Sequence, residues 1–181
     1  RTRQPGAKVH RSVKSYNNPL GVPLSLSRMP ADSDYGVFEM GMNHAGEIAT
    51  LTRMVRPHVA LITAIAPAHI EYLGSLEAIA DAKAESFEGL EPGGTAIIPA
   101  DAAHVDRMIA RARDLGAAIV TFGEGGMVRA DDVYADARGT QLIAHLLSGQ
   151  VAVRIAQPGA HWVSNALAVL ATVEALGADI G

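Results

Sequence analysis

The sequence predicts a single α/β domain built on a mostly parallel β-sheet that is flanked by helices. Short apolar runs rich in Val and Ile alternate with segments of helical periodicity, and Gly or Pro marks the joints between them. Only 4% of the residues are aromatic, so Ala, Val, Leu and Ile must build the core. Alanine-rich helices between buried strands are typical of helices that pack on a parallel sheet.

Four strands and four helices follow one another after Ser15. The strands are predicted at 37–40, 59–65, 95–99 and 118–122, and the helices at about 45–55, 75–90, 101–114 and 161–177. This order predicts right-handed βαβ units, in which successive strands run parallel.

The pattern changes between residues 127 and 156. Three segments of strand character, at 128–137, 140–147 and 149–156, are joined at Arg138-Gly139 and Ser148-Gly149. Glycine at these joints permits hairpin turns. We therefore predict a small antiparallel flap at about 127–156, appended to a core formed by residues 15–125 and 157–181.

The composition limits the possible functions. A net charge of −4 without a dense run of Lys or Arg argues against a nucleic-acid partner. The absence of cysteine excludes disulfides, thiolate nucleophiles and Cys-based zinc sites, and it fits a reducing compartment, so we expect a cytoplasmic location. The most apolar long stretch is interrupted by Glu174 and is too short to span a bilayer, so no membrane insertion is expected.

Both ends of the sequence suggest a piece of a longer protein. The chain begins without Met on a basic segment that lacks the apolar core of a signal peptide, and it ends just after a predicted helix. A GxxxxGK[ST] phosphate loop is also absent, because "GEGGM" at 123–127 has no following lysine.

Two residues that can bind a metal follow consecutive predicted strands. Glu39 ends the first strand, and His69 lies just past the end of the second. Ligands of open parallel sheets bind outside the carboxyl ends of the strands, and a carboxylate suits Mg²⁺. Each residue taken alone is more simply a solvated strand end or a loop histidine, and only the matching positions favour a metal site.

Lys83 occupies an apolar position of the helix at 75–90. The apolar stripe runs through Ile79, Ala80 and Phe87 at helical spacing, and Lys83 lies in the same stripe. Partial desolvation there favours the neutral amine. A lysine whose stem extends to solvent is the simpler interpretation, and a modified or site-facing lysine is the alternative. Ser75 is the predicted N-cap of this helix.

Two helix starts carry polar residues with binding potential. Asn43 and His44 precede the helix at 45–55, where free backbone N–H groups favour an anionic ligand. His161 and Asn165 are four residues apart and share a face at the start of the last helix, where an Asn can pair with a purine edge. Turn and capping hydrogen bonds are the alternative interpretation for both pairs.

Four segments together resemble the Mur ligases. They read "SYNNPLGVPLSL" at 15–26, "FEMGMNHAGEI" at 38–48, "VALITAIAPAHIEYLGSLEAIADAKAE" at 59–85 and "GAHWVSNALAVLA" at 159–171, and they fall in the family's order. Within the family, the resemblance is strongest to the ligase that adds D-alanyl-D-alanine to UDP-N-acetylmuramoyl-tripeptide in peptidoglycan synthesis. It implies the fold of the central ATPase domain.

The resemblance also implies a chemistry and its residues. In the family, ATP phosphorylates the substrate carboxylate to an acyl phosphate, and the incoming amine attacks it, with Mg²⁺ neutralising charge. Carried over by motif, Glu39 is a Mg²⁺ ligand, and His69 and Lys83 are metal-binding and catalytic residues, Lys83 in carbamylated form. Asn165 and His161 would contact adenine. Near the peptide substrate the resemblance places four residues: Asn17, Asn18, Asn43 and His44.

Three departures from the family pattern limit what the chain is expected to do. The phosphate loop and the C-terminal domain of the family are absent, and Trp162 stands where the family usually has Asn. A Trp cannot reproduce the paired hydrogen bonds of an amide. We therefore expect a partial central domain over residues 1–181, without its N- and C-terminal ligase domains, that is inactive as a ligase alone. The alternatives are a non-catalytic Mur-like binding module and a metal-dependent hydrolase that uses Glu39, His69 and a third carboxylate.

Overall fold

The structure, a computed structural model, describes residues 6–67 and 70–180. In chain order the elements are β1 (Val9–Arg11), α1 (Gly21–Ser27), β2 (Tyr35–Val37), α2 (Glu47–Val55), β3 (Val59–Leu61), α3 (Ile70–Leu73), α4 (Leu76–Ala84), a 3-10 helix (Glu85–Gly89), β4 (Thr95–Pro99), α5 (Val105–Asp114), β5 (Ala118–Phe122), β6 (Arg129–Asp136), β7 (Gly139–His145), β8 (Gln150–Ile155) and α6 (Ala160–Ala175).

Within the described residues, parallel strands form two of three sheets, which confirms the predicted α/β class. The strands β3, β4 and β5 pair in that order, and β1 pairs with β2. The bounds of β4 and β5 are the predicted ones, because each is a continuous apolar run of five residues. The strands β2 and β3 end earlier than predicted and lie in different sheets of the described structure.

The β3–β4–β5 sheet is covered on both faces. In β4, Ile98 packs into a cluster with Phe87 and Met108, on the side of α4 and α5. Its neighbour Ile97 packs into a second cluster with Leu167, on the side of α6 and the flap. Successive side chains of a strand alternate between faces, so one five-residue strand contributes to both halves of the core.

The predicted flap is confirmed. The strands β6, β7 and β8 form an antiparallel sheet, with an irregularity in register between Asp131 and Tyr134. Gly139 has φ +127°, and a Cβ built there would lie 2.1 Å from the carbonyl oxygen of Ile155, so the hairpin needs glycine at this position. The carboxylate of Glu174 in α6 accepts hydrogen bonds from the amides of Leu147 and Ser148 and thereby anchors the second turn.

Three short elements were not predicted: β1, α1 and α3. Each has only three to seven residues, which is too short for a periodic signal. The α1 helix starts where the side chain of Asn18 accepts hydrogen bonds from the amides of Leu20 and Gly21, at 3.1 and 2.8 Å. Across residues 6–67 and 70–180, no helix combines the length and apolarity that a membrane span requires.

Candidate functional site

Asn17 and Glu39 form the polar centre of the segment that follows β2. Glu39 lies two residues beyond the end of β2 and is exposed, and one oxygen of its carboxylate accepts a 2.8 Å hydrogen bond from the side-chain amide of Asn17. The backbone carbonyl of Asn17 accepts a 2.7 Å bond from the amide of Gly41. Two bonds from one residue therefore fix this segment against the loop that precedes α1.

Gly41 permits this contact. A Cβ at position 41 would lie 2.8 Å from the side-chain nitrogen of Asn17 and 2.9 Å from its Cγ. The glycine thus lets the Asn17 side chain lie directly against the backbone, where it can reach Glu39. Asn18, predicted to lie near a peptide substrate, caps α1 with its side chain instead of projecting freely.

Two carboxylates of the protein itself occupy the start of α2. The amides of Asn43 and His44 both donate to Glu47, at 2.7 and 3.2 Å. The amides of Gly46 and Ala49 both donate to Glu85, at 2.6 and 3.1 Å. Four backbone N–H groups at this helix start, which the sequence suggests for an external anion, are therefore bound to internal carboxylates.

The hydrogen bonds at the start of α2 also affect the pKa of Glu47. Hydrogen bonds from the backbone amides of Asn43 and His44 hold the pKa of the Glu47 carboxyl below its ordinary value, since they stabilise the charged form. The imidazole of His44 lies 3.3 Å from the same carboxylate and adds to the effect. The loop between β2 and α2 is thus held by ionic hydrogen bonds.

Lys83 reaches toward the segment that follows β3. Its ammonium donates a 2.7 Å hydrogen bond to the carbonyl of Ala64, three residues beyond the end of β3. Burial lowers the pKa of Lys83, because desolvation disfavours the charged amine. The desolvation that the apolar stripe suggests is therefore present. Ser75 caps α4 as predicted, accepting a 3.2 Å bond from Ala78.

His69 lies outside the described residues, so the predicted pairing of His69 with Glu39 remains a prediction. In the described part of the chain, no hydrogen bond or ion pair joins Glu39, Lys83 and Asn165 to one another. These groups belong to three different elements of the fold, at the ends of β2, α4 and the first turns of α6.

The potential metal ligands of the described residues fit a magnesium site that also includes a phosphate. Over residues 6–67 and 70–180, no cluster of three or more His, Asp or Glu side chains could hold an ion alone. Glu39 keeps one carboxylate oxygen that is not bound to Asn17. Mg²⁺ is commonly held by one or two carboxylates together with waters and substrate phosphates. The residues therefore fit a magnesium ion that arrives with a phosphate ligand.

An exposed aromatic pair marks the start of α6. The rings of His161 and Trp162 have centroids 5.3 Å apart and planes inclined at 43°. Trp162 is 38% exposed, and the side chains of His161 and Asn165 are also on the exposed surface. The start of α6 therefore presents an apolar ring surface beside an amide that can pair with a base edge.

Sequence reasoning missed three residues that shape this region. Glu47, the first residue of α2, accepts from the amides of Asn43 and His44 in the preceding loop, which is not the spacing of a standard capping motif. Glu85 contacts residues 36 and 39 positions earlier, which no local pattern reveals. Tyr72, whose ring lies 5.5 Å from that of His44, belongs to the unpredicted α3.

Comparison with known proteins gives a consistent result. The family model described as "Mur ligase middle domain" matches residues 2–173. UDP-N-acetylmuramoyl-tripeptide–D-alanyl-D-alanine ligase of Escherichia coli (strain K12) is 35% identical over 167 residues, which cover 91% of this chain and 36% of that protein. The crystal structure of MurF from Acinetobacter baumannii superposes with a TM-score of 0.92 at 34% identity, covering 97% of this chain and 38% of that one.

A more distant structure shares the fold. The MurF ligase of Thermotoga maritima, crystallised in complex with ADP, has a TM-score of 0.84 at 22% identity and covers 98% of this chain and 41% of that one. The present chain spans a little over a third of the length of the relatives that it matches, at 36% of the Escherichia coli protein.

Proposed function

The chain belongs to the Mur ligase family, matching its middle-domain model over residues 2–173, and from this premise we propose that it is the central ATP- and Mg²⁺-binding domain of an ATP-dependent amide ligase. The reaction joins D-alanyl-D-alanine to UDP-N-acetylmuramoyl-tripeptide in peptidoglycan synthesis. The observation that carries this proposal is the likeness, over 97% of the chain, to MurF of Acinetobacter baumannii.

The proposed domain is partial. The relatives named for the complete reaction are almost three times as long as the region they share with this chain, because that region makes up 36% of the Escherichia coli protein. We propose that the part of the central domain upstream of residue 1 supplies the phosphate loop, and that the C-terminal ligase domain supplies further nucleotide- and amine-binding groups. The 181-residue chain alone is then expected to bind parts of the substrates without turnover.

Glu39 is the proposed magnesium ligand. Its carboxylate is held by Asn17 on one oxygen, and the other oxygen stays available to a cation. Bound Mg-ATP supplies the phosphoryl group that activates the substrate carboxylate and the charge that offsets developing negative charge. Asn17 acts through Glu39 as a positioning residue, because a ligand that is hydrogen-bonded in place needs less ordering when the ion binds.

Lys83 and His69 are the proposed metal-facing residues of the β3 side. The lowered pKa of Lys83 raises the fraction of neutral amine, which is the form that reacts with carbon dioxide. That reaction forms a nitrogen–carbon bond, releases one proton and leaves a carbamate anion that can bind a metal. The assignment of His69 rests on the family resemblance alone.

The exposed face of the α6 start is the proposed adenine site. Asn165 and His161 would contact the base, and Trp162 lies beside them as an aromatic surface. Asn43 and His44 are proposed to lie near the peptide substrate, as are Asn17 and Asn18. The last two are already engaged with Glu39 and α1, so their contribution is to hold the loop that faces the substrate.

Calorimetric titration of Mg-ATP tests the proposal. We expect the chain to bind Mg-ATP, the Glu39→Ala variant to lose that binding, and Glu124→Ala to bind as the wild type does, because Glu124 is an exposed glutamate in the turn after β5. Equal binding by Glu39→Ala would contradict the assignment of Glu39. If the wild type does not bind, a chain extended upstream to include a phosphate loop decides whether the domain binds nucleotide at all.

The two alternatives predict other outcomes. A metal-dependent hydrolase that uses Glu39, His69 and a third carboxylate predicts metal-dependent phosphate release without an amine acceptor. A non-catalytic binding module predicts that the extended chain also fails to form an amide from the tripeptide and D-alanyl-D-alanine. The ligase proposal predicts that it succeeds once all domains are present.

A further inference from the structure

We propose that a cavity between the start of α2 and the helices α3 and α4 binds an alkylammonium group, that is, a primary amine carried on an aliphatic arm. The cavity has a volume of about 380 Å³, which suits a group the size of an amino-acid side chain. His44 and Ala45, in the loop between β2 and α2, form part of its lining.

Two aromatic rings form one wall. The rings of His44 and Tyr72 have centroids 5.5 Å apart and planes inclined at 60°, so the two rings are in contact and tilted relative to each other. Tyr72 is 56% exposed, which leaves ring surface open to a ligand. A cation within about 6 Å of an aromatic centroid is attracted by the negative face of the ring.

Two carboxylates form the opposite wall. Asp81 and Glu85 are four residues apart, so they lie on one side of the helical segment. Asp81 accepts from Arg107 on both carboxylate oxygens, from Nε at 2.8 Å and from a terminal guanidinium nitrogen at 2.5 Å, and Glu85 accepts one backbone amide of the α2 start on each oxygen. Carboxylates have about four acceptor positions each, so both retain capacity for a further donor.

The charged groups around the cavity favour a cationic ligand. The lining holds the two carboxylates of Asp81 and Glu85, and the guanidinium of Arg107 pairs with the first of them. An anionic ligand would be repelled by these carboxylates, whereas an ammonium gains from them and from the ring of Tyr72. Between these polar groups the lining is aliphatic, from Leu73 and Ala82 among others, and it suits the methylene groups of an arm that carries the amine.

The source of the amine rests on the proposed function. The proposed substrates offer two candidate amines: a side-chain amine of the tripeptide, where its third residue carries one, and the N-terminal amine of D-alanyl-D-alanine. Only the first is borne on an aliphatic arm, so the cavity favours the side-chain amine over the dipeptide. The binding itself depends only on the cavity and not on nucleotide or metal.

NMR titration of the isotopically labelled chain tests the inference without nucleotide. The probes are Nα-acetyl-lysine methylamide, its norleucine analogue, which lacks the amine, and D-alanyl-D-alanine. We expect an amine probe to shift the amide signals of Ala45, Tyr72 and Ala82, and the norleucine analogue to bind at least about tenfold more weakly. Stronger binding of the lysine probe assigns the tripeptide side chain, and stronger binding of the dipeptide assigns its N-terminal amine.

Three variants distinguish a loss of amine recognition from a general loss of protein structure. Tyr72→Leu is expected to weaken amine binding about five- to tenfold, while Tyr134→Leu, at an exposed tyrosine of the flap, leaves it unchanged. Arg107→Gln is expected to tighten binding, because Asp81 then loses the guanidinium that offsets its charge. A merely structural effect of Arg107 would weaken binding instead.

Two results would overturn the inference: norleucine and lysine probes of equal affinity, or no shift of cavity signals with either amine. Neither result bears on Mg-ATP binding, which is measured separately with Glu39→Ala. Conversely, amine binding by a chain that never binds nucleotide would retain the cavity assignment and remove the proposed function.

Discussion

The side-chain amide of Asn17 donates a 2.8 Å hydrogen bond to the carboxylate of Glu39, 22 residues further along the chain. The bond joins the loop before α1 to the segment after β2, and it leaves one carboxylate oxygen for a cation. Gly41 makes it possible, since a side chain there would meet the Asn17 amide at 2.8 Å. A proposed metal ligand is thus oriented by Asn17, a residue for which the sequence suggests a place near the peptide substrate and not a contact with Glu39.

Asn17→Ala is expected to lower the affinity for Mg-ATP about tenfold, because Glu39 must then be ordered by the ion alone. The free energy of unfolding should change little, since the bond is exposed. Calorimetry and urea denaturation measure the two quantities. Gln141→Ala, at an exposed amide of β7, serves as the matched control. Unchanged Mg-ATP affinity in Asn17→Ala would remove the positioning role.

Glu85→Gln is expected to lower the free energy of unfolding by about 1 kcal/mol, because the carboxylate caps the α2 start through Gly46 and Ala49. Urea denaturation at pH 7 measures the difference. The matched variant Glu124→Gln changes an exposed glutamate in the turn after β5 and should be neutral. The capping role fails if the two variants are equally stable.

Lys83→Met is expected to stabilise the protein at pH 7. Burial lowers the pKa of Lys83 below the ordinary value of 10.5, so between the two pKa values the unfolded chain binds more protons than the folded one. The free energy of unfolding of the wild type therefore rises with pH in that window. The advantage of Lys83→Met should shrink as the pH approaches 10.5.

Denaturation between pH 7 and pH 10 measures this trend, and Lys14→Met, at an exposed lysine, is the matched control. If Lys83→Met raises the free energy of unfolding by the same amount at every pH in this range, packing and not desolvation explains the effect.

The single tryptophan of the chain offers a direct readout of the α6 start. Trp162 is 38% exposed and lies beside His161, so a base bound there should quench its fluorescence. We expect saturable quenching by Mg-ATP, no quenching by inorganic tripolyphosphate, and about tenfold weaker binding in Asn165→Ala. Calorimetric binding of Mg-ATP without any change in Trp162 emission would place the base elsewhere.

The predictions from sequence were correct for segments whose own residues show a strand, turn or capping pattern. The strands β4 and β5 are continuous apolar runs, the flap turns carry glycine, and Ser75 immediately precedes its helix. The pairing of the strands came only from the structure, in which β2 and β3 lie in separate sheets of the described residues and β1 pairs with β2. A three-residue strand has no period to detect, so only its partner identifies it.

The sequence by itself determined the α/β class, the flap and the family, because these depend on local periodicity, turn residues and motifs that are contiguous in the chain. The tertiary structure decided which groups meet: Asn17 with Glu39, Glu85 with the α2 start, and the rings of His44 and Tyr72. The physical reason is that hydrogen bonds and ring contacts require a distance of a few ångströms. Residues 22 to 39 positions apart in the chain reach such distances only through the packing of the helices and strands between them.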